Sequence, residues 1–131
     1  MAGHPGTPLA TKLGIRPGDV VALLHRPADL VLDLPAGVTV RHRAAGRADV
    51  VVDFVTRAAE LERRIDRLAA LIRPAGGLWI AWPKRTSGVP SDVSDHIVRD
   101  VALPRGLVDN KVCALDDTWT GLRVVWRMAN R

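Results

Sequence analysis

The chain has 131 residues, of which 47% are hydrophobic and 25% are charged, and this composition fits one soluble globular domain and argues against extended disorder. No uncharged apolar run approaches the roughly 20 residues that a membrane helix needs, and the one cysteine, Cys113, excludes an internal disulfide and fits a cytoplasmic location. The formal net charge is +5, with nine basic against eight acidic residues in 1–66 and ten against six in 67–131. This balance favours an anionic ligand, but no basic run with interleaved aromatic residues is present, so nucleic acid is not a predicted partner.

The first third of the chain predicts an arm followed by two strands. Residues 1–14 contain two prolines and three glycines and predict a flexible N-terminal arm, and residues 15–131 predict a single α/β domain. Residues 19–24 predict a buried strand because they form a short apolar run after Pro17-Gly18. Residues 27–34 predict a turn or two of helix, since Pro27 suits a helix start, and residues 38–42 predict a second strand.

The middle third contains the clearest strand and the clearest helix. Residues 48–55 are rich in valine and predict a strand. Apolar residues recur with helical spacing from 57 to 73, which predicts an amphipathic helix with Thr56 as its N-cap. Residues 78–83 then predict a central parallel strand, because large apolar side chains fall on both of its faces.

The last third predicts a helix and a hairpin. Residues 91–103 predict a second helix, with Ser91 or Asp92 as its cap. Two alternating segments, 107–115 and 122–128, predict antiparallel strands joined through 116–121. The whole order predicts a mostly parallel α/β sheet with helices on both faces and a C-terminal antiparallel hairpin.

Several stretches resemble known families. ADVVVDFV (48–55) and RPAGGLWIAWP (73–83) resemble the latter half of a class I S-adenosylmethionine-dependent methyltransferase, and PGDVVALL (17–24) resembles its first strand. AWPKRTSGVPSDVSD (81–95) and GLVDNKVCALDDTWTGLRVVW (106–126) resemble a family of small uncharacterised bacterial proteins common in actinobacteria. The resemblance implies a trimmed, Rossmann-like methyltransferase fold.

The turns of this chain depart from the methyltransferase pattern. That pattern implies a glycine-rich loop after the first strand, but HRPADL (25–30) contains no glycine. It also implies an acidic residue after the second strand to accept ribose hydroxyls, whereas Arg41, His42 and Arg43 present donors there. We therefore predict no cofactor and lean against an enzyme.

Basic side chains follow the strands at the edge where open α/β sheets bind ligands. If they converge, they form an anion-attracting rim. The candidate ligand-binding residues are His25, Arg26, Arg41, Arg57, Trp82, Lys84 and Arg85. The alternative is that the cations only solvate loops and that Trp82 packs in the core.

Other reactive residues have simpler interpretations. Asp92, Asp95 and His96 would share one helical turn, but capping accounts for both aspartates, and we predict no metal site. Cys113 lies in a predicted strand and is expected to act as a small apolar side chain.

These observations favour a small non-catalytic module that binds an anionic ligand or a protein partner. One alternative is a divergent S-adenosylmethionine-dependent enzyme. Another is an auxiliary subunit of a larger complex, and homo-oligomers are compatible with either interpretation.

Overall fold

The computed structural model describes residues 7–131. Six strands form one sheet in the order β2-β1-β3-β4-β6-β5. The strands are β1 (Val20–Leu24), β2 (Thr39–Arg41), β3 (Val50–Phe54), β4 (Gly77–Pro83), β5 (Leu107–Ala114) and β6 (Trp119–Trp126). The helices are α1 (Leu9–Lys12), α2 (Ala58–Leu71) and α3 (Asp95–Ala102). The predicted α/β class is confirmed.

The parallel part of the sheet is built from nearly continuous apolar runs. β1 pairs in parallel with both β2 and β3, and β3 pairs in parallel with β4. Every residue of β3 and β4 is buried. Strands of this kind need cover on both faces, which explains why their sequences lack a polar alternation.

Two unequal layers cover the sheet. On one face, α2 and α3 bury Leu61, Ile65 and Val98 in a core with Val51 and Ile80. On the other face, the smaller layer is α1 together with the loop after β1. The second layer is the smaller one because the connection from β1 to β2 contains no helix.

The predicted helix over 27–34 is wrong. The segment contains a turn and then chain without helix or strand, with Leu30 buried, Val31 exposed, Leu32 partly buried and Asp33 exposed. This alternation has a period of two, as in a strand, and it lays Leu30 and Leu32 on the sheet. Burial of the alternating leucines therefore outweighs the helix start signal of Pro27.

Part of the predicted N-terminal arm belongs to the packed structure. Residues 1–6 lie outside the described residues, but Leu9–Lys12 form α1. Leu13 is 1% exposed, and its carbonyl accepts a hydrogen bond of 3.0 Å from Nε1 of buried Trp79. The packed chain thus begins near Leu9 rather than at residue 15.

The helix caps differ from those predicted. Arg57, not Thr56, occupies the N-cap position of α2, and it makes no side-chain cap. Asp92 caps this helix from another element, since its Oδ1 accepts a 2.7 Å bond from the amide of Ala58. α3 is capped by Ser94, whose Oγ accepts from the amide of Ile97, because the helix begins only at Asp95.

The C-terminal hairpin is confirmed, although its turn is tighter than predicted. β6 pairs antiparallel with both β4 and β5, and a bulge interrupts β5 between Asp109 and Lys111. β6 begins at Trp119 because Oδ1 of Asp116 accepts from the amides of Thr118 and Trp119, which closes the turn early. Within residues 7–131, none of the helices has the length and apolar character needed to cross a bilayer.

Candidate functional site

His25 forms the bend directly after β1. Its φ is +58°, a left-handed conformation, and it is the one residue other than glycine that has this conformation within 7–131. A positive φ costs a non-glycine residue about 1–2 kcal/mol, and histidine is among the residues that adopt it more often. The chain therefore forms a left-handed bend after β1 without a glycine, although the sequence analysis expected a glycine to be needed there.

The conformation of His25 is supported by Asp53 of β3. The imidazole Nδ1 lies 2.9 Å from Oδ1 of Asp53, which is fully buried. Because parallel neighbours β1 and β3 end at the same edge, the bend after one strand meets the carboxylate of the other. This bond leaves Nε2 of His25 as the ring nitrogen available to other groups.

Asp53 also pairs with α2. Nη1 of Arg64 lies 3.3 Å from Oδ1 and 3.2 Å from Oδ2, while Nη2 lies 3.4 Å from Oε2 of Glu60. Burial raises the pKa of the Asp53 carboxyl, and the hydrogen bond from His25 and the charge of Arg64 oppose that rise. His25, Asp53 and Arg64 thus form one network that joins β1, β3 and α2.

A concavity of about 390 Å³ opens beside this network. None of its nine lining residues is acidic, and six of them carry imidazole or guanidinium groups. It is lined by Leu24, His25, His42, Arg43, Ala44, Arg63, Arg64, Arg67 and Leu68. We call this the basic concavity.

The cations of the basic concavity fall into two groups. Arg64 is neutralised by Asp53, and Arg67 donates bonds of 3.1 and 2.8 Å to the carbonyl of Ala44, which ties α2 to the loop after β2. Arg43 and Arg63 are exposed, and no hydrogen bond or ion pair engages either side chain within the described residues. The first group shapes the concavity, while the second leaves positive charge available to a ligand.

Two of the sequence-predicted residues support loops near this edge. Nη2 of Arg26 donates 2.9 Å to the carbonyl of Leu30. Nη1 of Arg41 donates to the carbonyls of Ala45 and Arg47 at 3.0 and 3.2 Å. Their guanidinium groups therefore hold the ends of the loops that follow β1 and β2.

The remaining candidates lie around other cavities. Arg57 lines one of about 240 Å³, and Trp82 and Arg85 line another of about 560 Å³ beside the start of α3. Trp82 is 7% exposed and belongs to the main core. Nζ of Lys84 donates 2.7 Å to the carbonyl of Asp116, which anchors the hairpin turn. The structure places His25 alone of the seven predicted residues in the basic concavity.

Sequence reasoning did not identify Asp53 or the arginines of α2 as site residues. Asp53, which stands between Val52 and Phe54 in the valine-rich run 48–55, was a usable signal, because a buried strand rarely carries a charge without a partner. Arg63, Arg64 and Arg67 fall within the predicted helix 57–73 but were not among the candidate site residues. Only the packing of α2 against β3 places them beside His25.

The other reactive groups have structural roles. Within residues 7–131, no three His, Cys, Asp or Glu side chains are grouped so as to hold a metal ion. Asp92 caps α2, and Arg99 bridges Asp95 and Asp109 at 3.0 and 2.9 Å. Burial raises the pKa of the Cys113 thiol, which disfavours the nucleophilic thiolate.

Comparison with known proteins supports the fold. No protein-family model matches the chain, and no curated protein sequence matches it. The solved structure of magnesium protoporphyrin IX methyltransferase from Synechocystis PCC 6803, which holds bound SAH, is similar with a TM-score of 0.58 and 14% identity. The similarity covers 85% of this chain and 75% of that one. It shows that the chain has a methyltransferase-like fold, while the resemblance to a small bacterial family stays a prediction.

Proposed function

We propose that the chain is a binding module that holds an anionic group, such as a phosphate, in the basic concavity. The observation that carries this proposal is the charge of the lining, which has six cationic or imidazole side chains and no acidic residue. Guanidinium groups suit phosphate and carboxylate because their planar fork can donate two parallel hydrogen bonds. The site lies at the carboxyl edge of the parallel strands, where ligands bind in open α/β sheets.

Within this site, Arg43 and Arg63 supply charge that is not already paired, and His25 supplies a positioned ring. Asp53 holds the ring through Nδ1, so that Nε2 can donate to an anion when the ring is protonated. Arg64 and Arg67 hold α2 against β3 and the loop after β2. A ligand would therefore meet one donor, His25, whose orientation is already fixed, and this lowers the ordering cost of that contact.

The basic concavity does not fit the methyl donor that the fold family implies. S-adenosylmethionine carries a sulfonium cation, and its ribose hydroxyls need acceptors. Arg43 and His42 present positive charge and donors after β2, and the imidazole of His25 occupies the bend after β1. We derive no methyl-transfer step for these residues.

Thermal unfolding of the full chain with a panel of anions tests the proposal. The panel is inorganic phosphate, nucleotides, acyl-coenzyme A species and phosphorylated metabolites, and S-adenosylmethionine is titrated by calorimetry. A ligand at 100 times its Kd should stabilise the protein by about 2.7 kcal/mol. The double variant Arg43→Gln/Arg63→Gln should lose the part of this stabilisation that comes from the basic concavity.

Arg127→Gln is the matched control, because Arg127 is exposed beyond the end of β6, at the opposite edge of the sheet. It should retain the stabilisation. The proposal is contradicted if no anion stabilises the chain, if the double variant responds like the control, or if S-adenosylmethionine binds with micromolar affinity.

A further inference from the structure

A second group of cations lies at the amino edge of the parallel strands, away from the basic concavity. Its centre is Arg123, which lies in β6 between Trp79 of β4 and Lys111 of β5. The guanidinium packs over Gly77, where an added Cβ would lie 2.8 Å from Cζ of Arg123. The absence of a side chain at Gly77 therefore gives the guanidinium a defined, half-buried place.

Arg123 has no anionic partner in the described part of the chain. No hydrogen bond or ion pair of its side chain is formed within residues 7–131, in contrast to Arg64, Arg99 and Arg105. Burial lowers the pKa of its guanidinium, and the positive charges of Arg131 and Arg16 lower it further. A half-buried cation among other cations is unfavourable in the folded state unless an anion joins it.

A small cavity lies beside this guanidinium. It has a volume of about 210 Å³ and is lined by Lys12, Leu13, Gly14, Asn110, Lys111 and Arg123. Nζ of Lys111 donates 2.9 Å to the carbonyl of Lys12, which holds a second positive charge at the cavity wall. The lining thus combines three cations and an amide with no carboxylate.

The carboxylates near this edge are engaged elsewhere. Asp19 and Asp49 line a neighbouring cavity of about 160 Å³ that Arg123 also borders. Oδ2 of Asp19 accepts from the amide of Arg16, Oδ2 of Asp49 accepts from the amide of Val20, and Oδ1 of Asp49 pairs with Arg47. Neither carboxylate forms an ion pair with Arg123.

We infer that the cavity between Lys12, Lys111 and Arg123 binds a small oxyanion, either a free phosphate or the carboxylate of another molecule. Both present the planar or tetrahedral oxygens that a guanidinium and two ammonium groups recognise. The cavity is large enough for such a group, since a water molecule takes about 30 Å³ of liquid volume. This site is independent of the basic concavity.

The test compares Arg123→Met with the wild type in a low-salt buffer without oxyanions. The variant should unfold at the same temperature or a higher one, because it removes an unbalanced charge. Addition of inorganic phosphate to about ten times its Kd for this cavity should raise the wild-type Tm by about 3–5 °C more than that of the variant, which keeps only the response of the basic concavity. An acetate arm separates a carboxylate ligand from a phosphate ligand.

Two further variants keep the test decisive. Lys111→Met should weaken the response several-fold, because it removes one cation from the lining of the cavity. The variant should stay folded, because Lys111 is exposed on an edge strand. Arg127→Met, which removes an exposed arginine at the same edge, should respond like the wild type. The inference is overturned if Arg123→Met lowers the Tm without oxyanions, or if it retains the full response to both of them.

Amide chemical shifts distinguish this site from the basic concavity. Phosphate at the amino edge should shift Gly14, Asn110 and Lys111, whereas phosphate in the basic concavity should shift Leu24, Ala44 and Leu68. Shifts in the first group alone would support this inference and contradict the proposed function. Shifts in the second group alone would support the proposed function and contradict this inference.

Discussion

The imidazole Nδ1 of His25 lies 2.9 Å from Oδ1 of Asp53, so a strained bend after β1 and a buried carboxylate on β3 support each other. Asp53 is the one buried charged residue among 7–131, and its partners come from two different elements. This relationship links the turn, the sheet and α2 at the edge where the basic concavity opens.

Replacement of His25 should reveal the backbone strain at the bend. His25→Gly and His25→Ala both remove the imidazole, but only glycine adopts a φ of +58° without steric cost. We expect the glycine variant to be more stable than the alanine variant by about 1 kcal/mol, measured by urea unfolding. Equal stability of the two variants would contradict the left-handed conformation.

Asp53→Asn should change how stability depends on pH. Because burial raises the pKa of Asp53 above its value in the unfolded chain, the folded protein holds this proton more tightly. Its stability therefore falls as pH rises above about 4, through the window between the two pKa values. The asparagine variant cannot ionise and lacks this decline.

The difference in unfolding free energy between Asp53→Asn and the wild type should thus move in favour of the variant as the pH rises above about 4. Urea unfolding at several pH values in this window measures it. A trend in favour of the wild type would show that the His25 and Arg64 contacts outweigh burial.

Asp92 and Ser94 should stabilise two different helices although they are two residues apart. Asp92→Ala removes the acceptor for the amide of Ala58 in α2, and Ser94→Ala removes the cap of α3. Each replacement should cost about 1 kcal/mol. Urea unfolding measures them against Thr86→Ala, an exposed change in the same loop that should cost little. An Asp92→Ala loss no larger than that of the control would contradict the cap on α2.

Leu13→Ala tests whether the start of the chain is part of the core. Leu13 is 1% exposed and packs on the second face of the sheet, so its truncation should cost about 2–4 kcal/mol. Thr11→Ala, an exposed change in α1, should cost less than about 0.5 kcal/mol. Chemical denaturation of both variants decides the point, since a flexible arm would leave the two equally stable.

Hydrophobic pattern alone was enough to predict the sheet and its main helix. The valine-rich run around Val52 and the apolar run around Ile80 predict buried strands because each lacks polar alternation. The helical spacing of Leu61, Ile65 and Leu68 predicts α2, since a helix must bury one face. These signals are local, and tertiary packing did not override them.

Tertiary structure decided the site and the caps. The sequence separates His25 from Asp53 by 28 residues and Asp53 from Arg64 by 11. Only the parallel pairing of β1 with β3 and the packing of α2 bring these side chains within hydrogen-bond distance. The cap of α2 by Asp92 spans 34 residues, beyond the reach of any local motif. Residue type and spacing determine which segments are buried. Which charged side chains contact each other across strands depends instead on how the strands pair and how the helices pack, and the whole fold sets both.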